Sequence, residues 1–149
     1  MELKILLSGL MNIMSKKKQF AVIGIGYVGL PLAVELSKSN SVLGYDIDNN
    51  RIKNLKKGLD ITNEFSKNQL RSKKNLKFSN NIKDIKNSDI FFITVPTPIN
   101  KNNKPDLSHL IDATKLVAKN LKRKSIIVYE STVYPGCTEE VCLPILEKF

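Results

Sequence analysis

Glycines 24, 26 and 29 stand between the apolar run Phe20-Ala21-Val22-Ile23 and a second one, Leu30-Pro31-Leu32-Ala33-Val34. A G-x-G-x-x-G pattern in that setting brings a backbone close to a pyrophosphate. Its first glycine allows the tight turn, its second leaves room for the phosphates, and its third lets the following helix pack on the strand. The helix then directs unpaired N–H groups and its positive dipole end at the anion. Alone, the pattern also describes a Gly-rich turn in any parallel sheet. A second feature separates the two readings. Val42-Leu43-Gly44-Tyr45 reads as the next strand and ends on Asp46, near the roughly 20-residue distance at which a carboxylate accepts the ribose hydroxyls of NAD and repels the extra phosphate of NADP. The expected cofactor is NAD, held by Gly24, Gly26, Gly29 and Asp46.

Two further segments carry polar groups immediately after apolar runs. Pro96-Thr97-Pro98 is a stiff loop that leaves the Thr97 hydroxyl and N–H near the cofactor, or else a plain strand terminator, which prolines also make. Glu130, Ser131 and Thr132 are three hydrogen-bonding side chains in a row, a polar excess for a mere turn. Cys137 and Cys142 lack zinc-ribbon or C-x-x-C spacing, so no metal site is expected and a reducing compartment fits. His109, the sole histidine, falls on an amphipathic stretch and reads as a surface or rim residue.

The elements that must position these groups alternate. Strands are expected at Gln19–Ile23, Ser41–Tyr45, Leu76–Phe78, Ile90–Val95 (closed by Pro96) and Ser125–Tyr129. Helices are expected from Tyr27 to Lys38, from an Asp48 cap to a stop at Gly58, and after Asp106, with Leu107, Leu110, Ala113 or Thr114, and Val117 facing the sheet. Shorter helical pieces fit Ser66–Arg71 and Ile82–Ile85, and Thr138 is expected to cap a last helix. The fold class is α/β, a doubly wound, mostly parallel sheet. Its ligands lie beyond the carboxyl ends of the strands, where strand order reverses.

With 149 residues, 42% hydrophobic and 26% charged, the chain suits one globular domain. The net charge of +10 comes from lysines scattered over nearly every element, with arginine scarce, so no nucleic-acid groove is expected. A positive field would still steer an anionic substrate. Met1–Ile13 is mildly apolar, but Lys4 interrupts it, no small-residue cleavage site follows, and it is too short to span a membrane. The expected organisation is an extension over 1–18 and a cofactor domain over 19–149, in the cytoplasm.

Phe20 to Ala33, Gly44-Tyr45-Asp46-Ile47-Asp48, Val95-Pro96-Thr97-Pro98 and the run Tyr129 to Glu140 together resemble the UDP-sugar 6-dehydrogenases, the family of UDP-glucose dehydrogenase and the UDP-N-acetylhexosamine dehydrogenases. The likeness covers Lys18 to Phe149. Pro-Thr-Pro-Ile followed by Pro105-Asp106, with Tyr-Pro-Gly-Cys-Thr-Glu-Glu, is most similar to the UDP-N-acetylglucosamine and UDP-N-acetylgalactosamine enzymes of bacterial surface-polysaccharide synthesis. The resemblance implies a Rossmann-type domain and an NAD-dependent, two-step oxidation of a sugar C6 alcohol to a carboxylate through a covalent adduct on a cysteine. It implies that Tyr27 and Val28 lie against the pyrophosphate, that Asp46 and Arg51 surround the adenosine ribose, and that Pro96, Thr97 and Thr132 line the cofactor, Thr132 also helping to hold a catalytic water. Family members continue into a linking helix and a UDP-binding domain that supply the nucleophilic cysteine and a catalytic lysine, and they dimerise largely on that helix. This chain reaches Phe149 before any such segment, so it is expected to be the cofactor-binding half of a homodimeric enzyme, inactive alone. Cys137, in the Pro-Gly-Cys turn, does not match the nucleophile. Two other functions remain open: a stand-alone NAD-sensing regulatory domain, and a dehydrogenase of the 3-hydroxyacyl or 6-phosphogluconate type.

Overall fold

A computed structural model describes residues 18–101 and 103–149; most of the expected N-terminal extension, 1–17, lies outside the described residues. Five strands, β1 (Gln19–Ile23), β2 (Ser41–Tyr45), β3 (Leu76–Ser79), β4 (Ile90–Ile93) and β5 (Ile126–Tyr129), form one sheet in the order β3-β2-β1-β4-β5. Every neighbouring pair is parallel. The chain winds from β1 outward to β3, then returns across β1 to β4 and β5. Strand order therefore reverses between β1 and β4.

The inner strands β1, β2 and β4 hold because their side chains are largely covered on both faces, as parallel strands require. Ala21, Ile23, Leu43, Phe91 and Ile93 join Leu110, Ala113 and Val117 in one core cluster. Phe20, Val22 and Val42 join Ile25, Leu30, Ala33, Val34 and Leu55 in the other. Helix α1 (Gly29–Leu36) and helix α2 (Asn49–Lys56) serve the second cluster, and α4 (Ser108–Ala118) serves the first.

Local signals account for most element ends. Asp48 caps α2, its carboxylate accepting the N–H groups of Asn50 at 2.8 Å and Arg51 at 3.2 Å. Gly58, at φ +78°, stops the turn that follows it. Ser66 and Gln69 make a reciprocal capping box on the short α3 (Lys67–Arg71). A 3₁₀ helix, Ile82–Asn87, fills the expected turn before β4.

Four expectations need correction. Helix α1 begins at Gly29, because Tyr27 and Val28 form the turn of the glycine loop, and it ends at Leu36. Strand β4 ends at Ile93, not at Val95: the Thr94 hydroxyl lies 2.7 Å from the Gly24 carbonyl oxygen and 3.0 Å from that of Ile23, drawing the chain toward the glycine loop. Strand β5 begins at Ile126. Thr138 caps nothing; it is the first residue of a π-type turn, Thr138–Cys142, that runs into the short α5 (Leu143–Leu146).

Candidate cofactor-binding site

The carboxyl ends of β1, β2 and β4 converge on the glycine loop, and each glycine meets a different constraint. Gly24 takes φ +93°, a conformation L side chains rarely adopt, and its N–H donates to the Tyr45 carbonyl at 2.8 Å. At Gly29 a Cβ would overlap the Gly24 carbonyl oxygen and come within 2.6 Å of the Thr94 hydroxyl, so α1 packs this closely only on glycine. A Cβ at Gly26 would meet no atom within 4 Å. Among the described residues the N–H groups of Gly26, Tyr27 and Val28 donate to no protein acceptor, and Tyr27 and Val28 are exposed. Together they make a row of free donors at the N-terminus of α1, an arrangement that suits an anion.

Asp46 stands half-buried at the end of β2. One carboxylate oxygen accepts the Ile25 N–H at 2.8 Å and the other accepts the Asp48 N–H at 2.9 Å. Each oxygen keeps a lone pair for a further donor. Arg51, read from sequence as a ribose neighbour, is a buried side chain on α2. Its Nε donates to the Ile25 carbonyl at 2.8 Å and its Nη1 to Asp60 at 2.7 Å, while Nη2 has no partner among the described residues. Asp60, which sequence reasoning passed over, is fully enclosed. Burial acts to raise its pKa, but hydrogen bonds from the Thr62 hydroxyl, Arg51 and the backbone N–H groups of Thr62 and Phe65 outweigh it and hold the carboxyl at about 2.

The loops after β4 and β5 are tied together. Thr97 donates its hydroxyl to the Thr132 carbonyl at 2.6 Å, and Ser131 donates to the Val95 carbonyl at 2.7 Å. The Thr132 side chain stays exposed, without a hydrogen bond of its own among the described residues.

A cavity of about 360 Å³ opens at the reversal point, between the β1, β2 and β4 ends and one face of α4. Gly24, Gly26, Asp46, Thr94 and Pro96 line it. Tyr27, Val28, Gly29, Arg51, Thr97 and Thr132 do not. Helix α4 adds His109, Asp112, Ala113 and Leu116, none of them among the cofactor residues read from sequence. Their spacing (i, i+3, i+4, i+7) puts them on one helical face, a signal the sequence did contain. No group of residues with metal-ligand composition occurs among the described residues.

Residues 18–149 match the model of the UDP-glucose/GDP-mannose dehydrogenase family, NAD binding domain. The chain belongs to this family. It is 48% identical over 134 residues to the UDP-N-acetyl-D-glucosamine 6-dehydrogenase of Pseudomonas aeruginosa, covering 90% of this chain and 32% of that one. To the enzyme of the same name from Salmonella typhi it is 52% identical over 130 residues, covering 87% and 31%. Among solved structures it is similar to the UDP-D-ManNAc dehydrogenase of Pyrococcus horikoshii, with TM-score 0.80, 34% identity, and coverage of 87% of this chain and 32% of that one. The chain thus spans about a third of the length of these relatives. The domain is an NAD-binding one, and the nucleotide-sugar dehydrogenase reading is favoured over the regulatory and the 3-hydroxyacyl or 6-phosphogluconate alternatives.

Proposed function

We propose that this domain holds NAD for the oxidation of the C6 alcohol of a UDP-N-acetylhexosamine to the uronate, in the synthesis of a surface polysaccharide. The Gly26 corner carries the cofactor part of the reading. Open space, three unpaired N–H groups and a helix N-terminus meet there, beside a carboxylate with lone pairs to spare. Those features fit a dinucleotide whose pyrophosphate lies against the loop and whose ribose hydroxyls donate to Asp46. The sugar class rests on the identity to relatives named for UDP-N-acetyl-D-glucosamine.

When bound, NAD supplies the hydride acceptor. The chain's own residues do the rest. Gly24, Gly26 and Gly29 shape the loop, Tyr27 and Val28 offer backbone donors, and Arg51, behind Asp46, supports the loop on the ribose side from its buried position. Pro96 lines the cavity, and Thr97 and Thr132 stand on the tied loops beyond it along the cofactor, with the exposed Thr132 hydroxyl available to hold a water near the reacting carbon. In the same reading the domain is residues 19–149, preceded by an extension. The protein that carries it works in the cytoplasm as a homodimer, without nucleic acid or membrane. No helix of the described residues is long and apolar enough to cross a membrane.

Calorimetry on this chain tests the cofactor part. NAD binds more tightly than NADP, and Asp46→Ala loses roughly 1.5–3 kcal/mol of NAD affinity, the worth of hydrogen bonds to a charged group. Equal or tighter binding of NADP to the unmutated chain refutes it. For the sugar class, absorbance at the NADH band in the protein that carries this domain rises faster with UDP-N-acetylglucosamine or UDP-N-acetylgalactosamine than with UDP-glucose; the reverse order refutes that assignment.

A further inference from the structure

Ile25 has both its backbone groups held by side chains. Its N–H donates to Asp46 and its carbonyl accepts from Arg51 Nε, both at 2.8 Å. The Ile25 carbonyl and the Gly26 N–H belong to one rigid trans peptide plane and point in opposite directions. Drawing the carbonyl toward Arg51 therefore turns the Gly26 N–H away from it. The preceding plane is fixed as well, with Asp46 on the Ile25 N–H and the Thr94 hydroxyl at the Gly24 carbonyl.

Arg51 is itself set by Asp60, 2.7 Å from Nη1. One oxygen of that carboxylate also accepts from the Thr62 N–H and hydroxyl, and the other from the N–H groups of Glu64 and Phe65. A carboxylate anchored this way cannot follow the guanidinium, so the guanidinium's plane is dictated by the 60–65 loop. Asp60 is not among the residues that line the cavity.

We propose that Asp60 is a positioning residue for the cofactor: through Arg51 it locks the Ile25–Gly26 peptide in the orientation that presents the Gly26 N–H to the pyrophosphate. The inference rests on the reading of the glycine loop as the NAD site. It differs from a plain staple between α2 and the 60–65 loop in one respect, that the loop's anion-binding geometry depends on a carboxylate outside the cavity.

The test uses the 149-residue chain, its Asp60→Asn variant and the milder Thr62→Val, which removes one hydrogen bond to the carboxylate and stands in should Asp60→Asn fail to fold. Amide hydrogen exchange without cofactor and NAD titration are read together. The expected result is unchanged exchange at Leu43 and Phe91, which shows the sheet intact, together with an NAD Kd raised about tenfold in Asp60→Asn and a few-fold in Thr62→Val. Arg51→Lys also raises the Kd, because one ammonium cannot reproduce the fork that reaches both Ile25 and Asp60. If the variants bind NAD as the unmutated chain does, or if exchange rises in the core strands, Asp60 is a staple only and the inference falls while the cofactor reading stands. If the unmutated chain binds no NAD, both fall.

Discussion

The three glycines of the loop look alike in sequence and respond to substitution in opposite ways. Gly26→Val adds a side chain into open space at a residue without positive φ, so stability should stay within about 0.5 kcal/mol, as for other surface changes. The new methyls fill the approach to the loop, and NAD binding should be lost. Gly29→Ala does the reverse: its Cβ overlaps the Gly24 carbonyl oxygen beneath the loop, and α1 must move away from β1. Overpacking of this kind costs about 1–3 kcal/mol or more. Thermal melts and NAD titrations on the two variants check the pair. A Gly26→Val chain with native affinity and native melting temperature would remove the loop as the phosphate site. Spacing suggested these roles, and the structure sets a different condition at each position: a positive φ at Gly24, open space at Gly26 and close packing at Gly29. Arg51 was harder to read. The resemblance put it around the adenosine ribose, whereas the partners that bury it, Ile25 and Asp60, come from opposite sides in the sequence.

The loop that follows α2 behaves as an element built on one carboxylate. Asp60 has a folded pKa of about 2 against an ordinary 3.8. The group is depressed on folding, so its contribution is complete above about pH 4 and is lost as pH falls through about 2; the shift corresponds to about 2 kcal/mol. Urea unfolding should therefore show a stability gap between the chain and Asp60→Asn that is constant above about pH 4 and shrinks by about 2 kcal/mol toward pH 2. Asp89, also lowered, chiefly by the Gln19 N–H and by Lys122, cancels in that comparison. A gap independent of pH would mean that the carboxylate is not held as the geometry implies. Sequence periodicity assigns no element to residues 60–65, since their order comes from hydrogen bonds to one side chain rather than from a hydrophobic pattern. The same cause explains the early end of β4, where a Thr94 contact with residues 70 positions away overrides a continuous apolar run. It does not explain the π-type turn at Thr138–Cys142. There the expected cap, Thr138, caps nothing, and Cys137 and Cys142 on either side of the turn are buried in the core. The central strands β1 and β4 were legible, because covered parallel strands read as apolar runs.

At the scale of the whole molecule, cofactor and nucleophile chemistry separate. The sheet brings the free N–H groups of the glycine loop, the Asp46 carboxylate and the α4 face to the reversal point, while both thiols go into the core. Cys137 and Cys142 are fully enclosed, packed with Leu110, Ala113 and Val117 and against Tyr129 and Val133. Burial, then the neighbouring Cys142, pushes the Cys137 thiol up, so the thiolate that attacks a carbonyl carbon is withheld at neutral pH. Covalent catalysis needs an activated nucleophile within reach of its substrate. The expected outcome has two parts. A disulfide reagent reacts with the folded chain only as fast as it unfolds, and with both thiols at once in denaturant. The 149-residue chain, given NAD with UDP-N-acetylglucosamine, UDP-N-acetylgalactosamine or UDP-glucose, shows no rise at the NADH band. Rapid labelling of Cys137 in the folded chain would contradict its enclosure. Turnover that survives purification and vanishes in Cys137→Ala would move the nucleophile of the reaction into this domain.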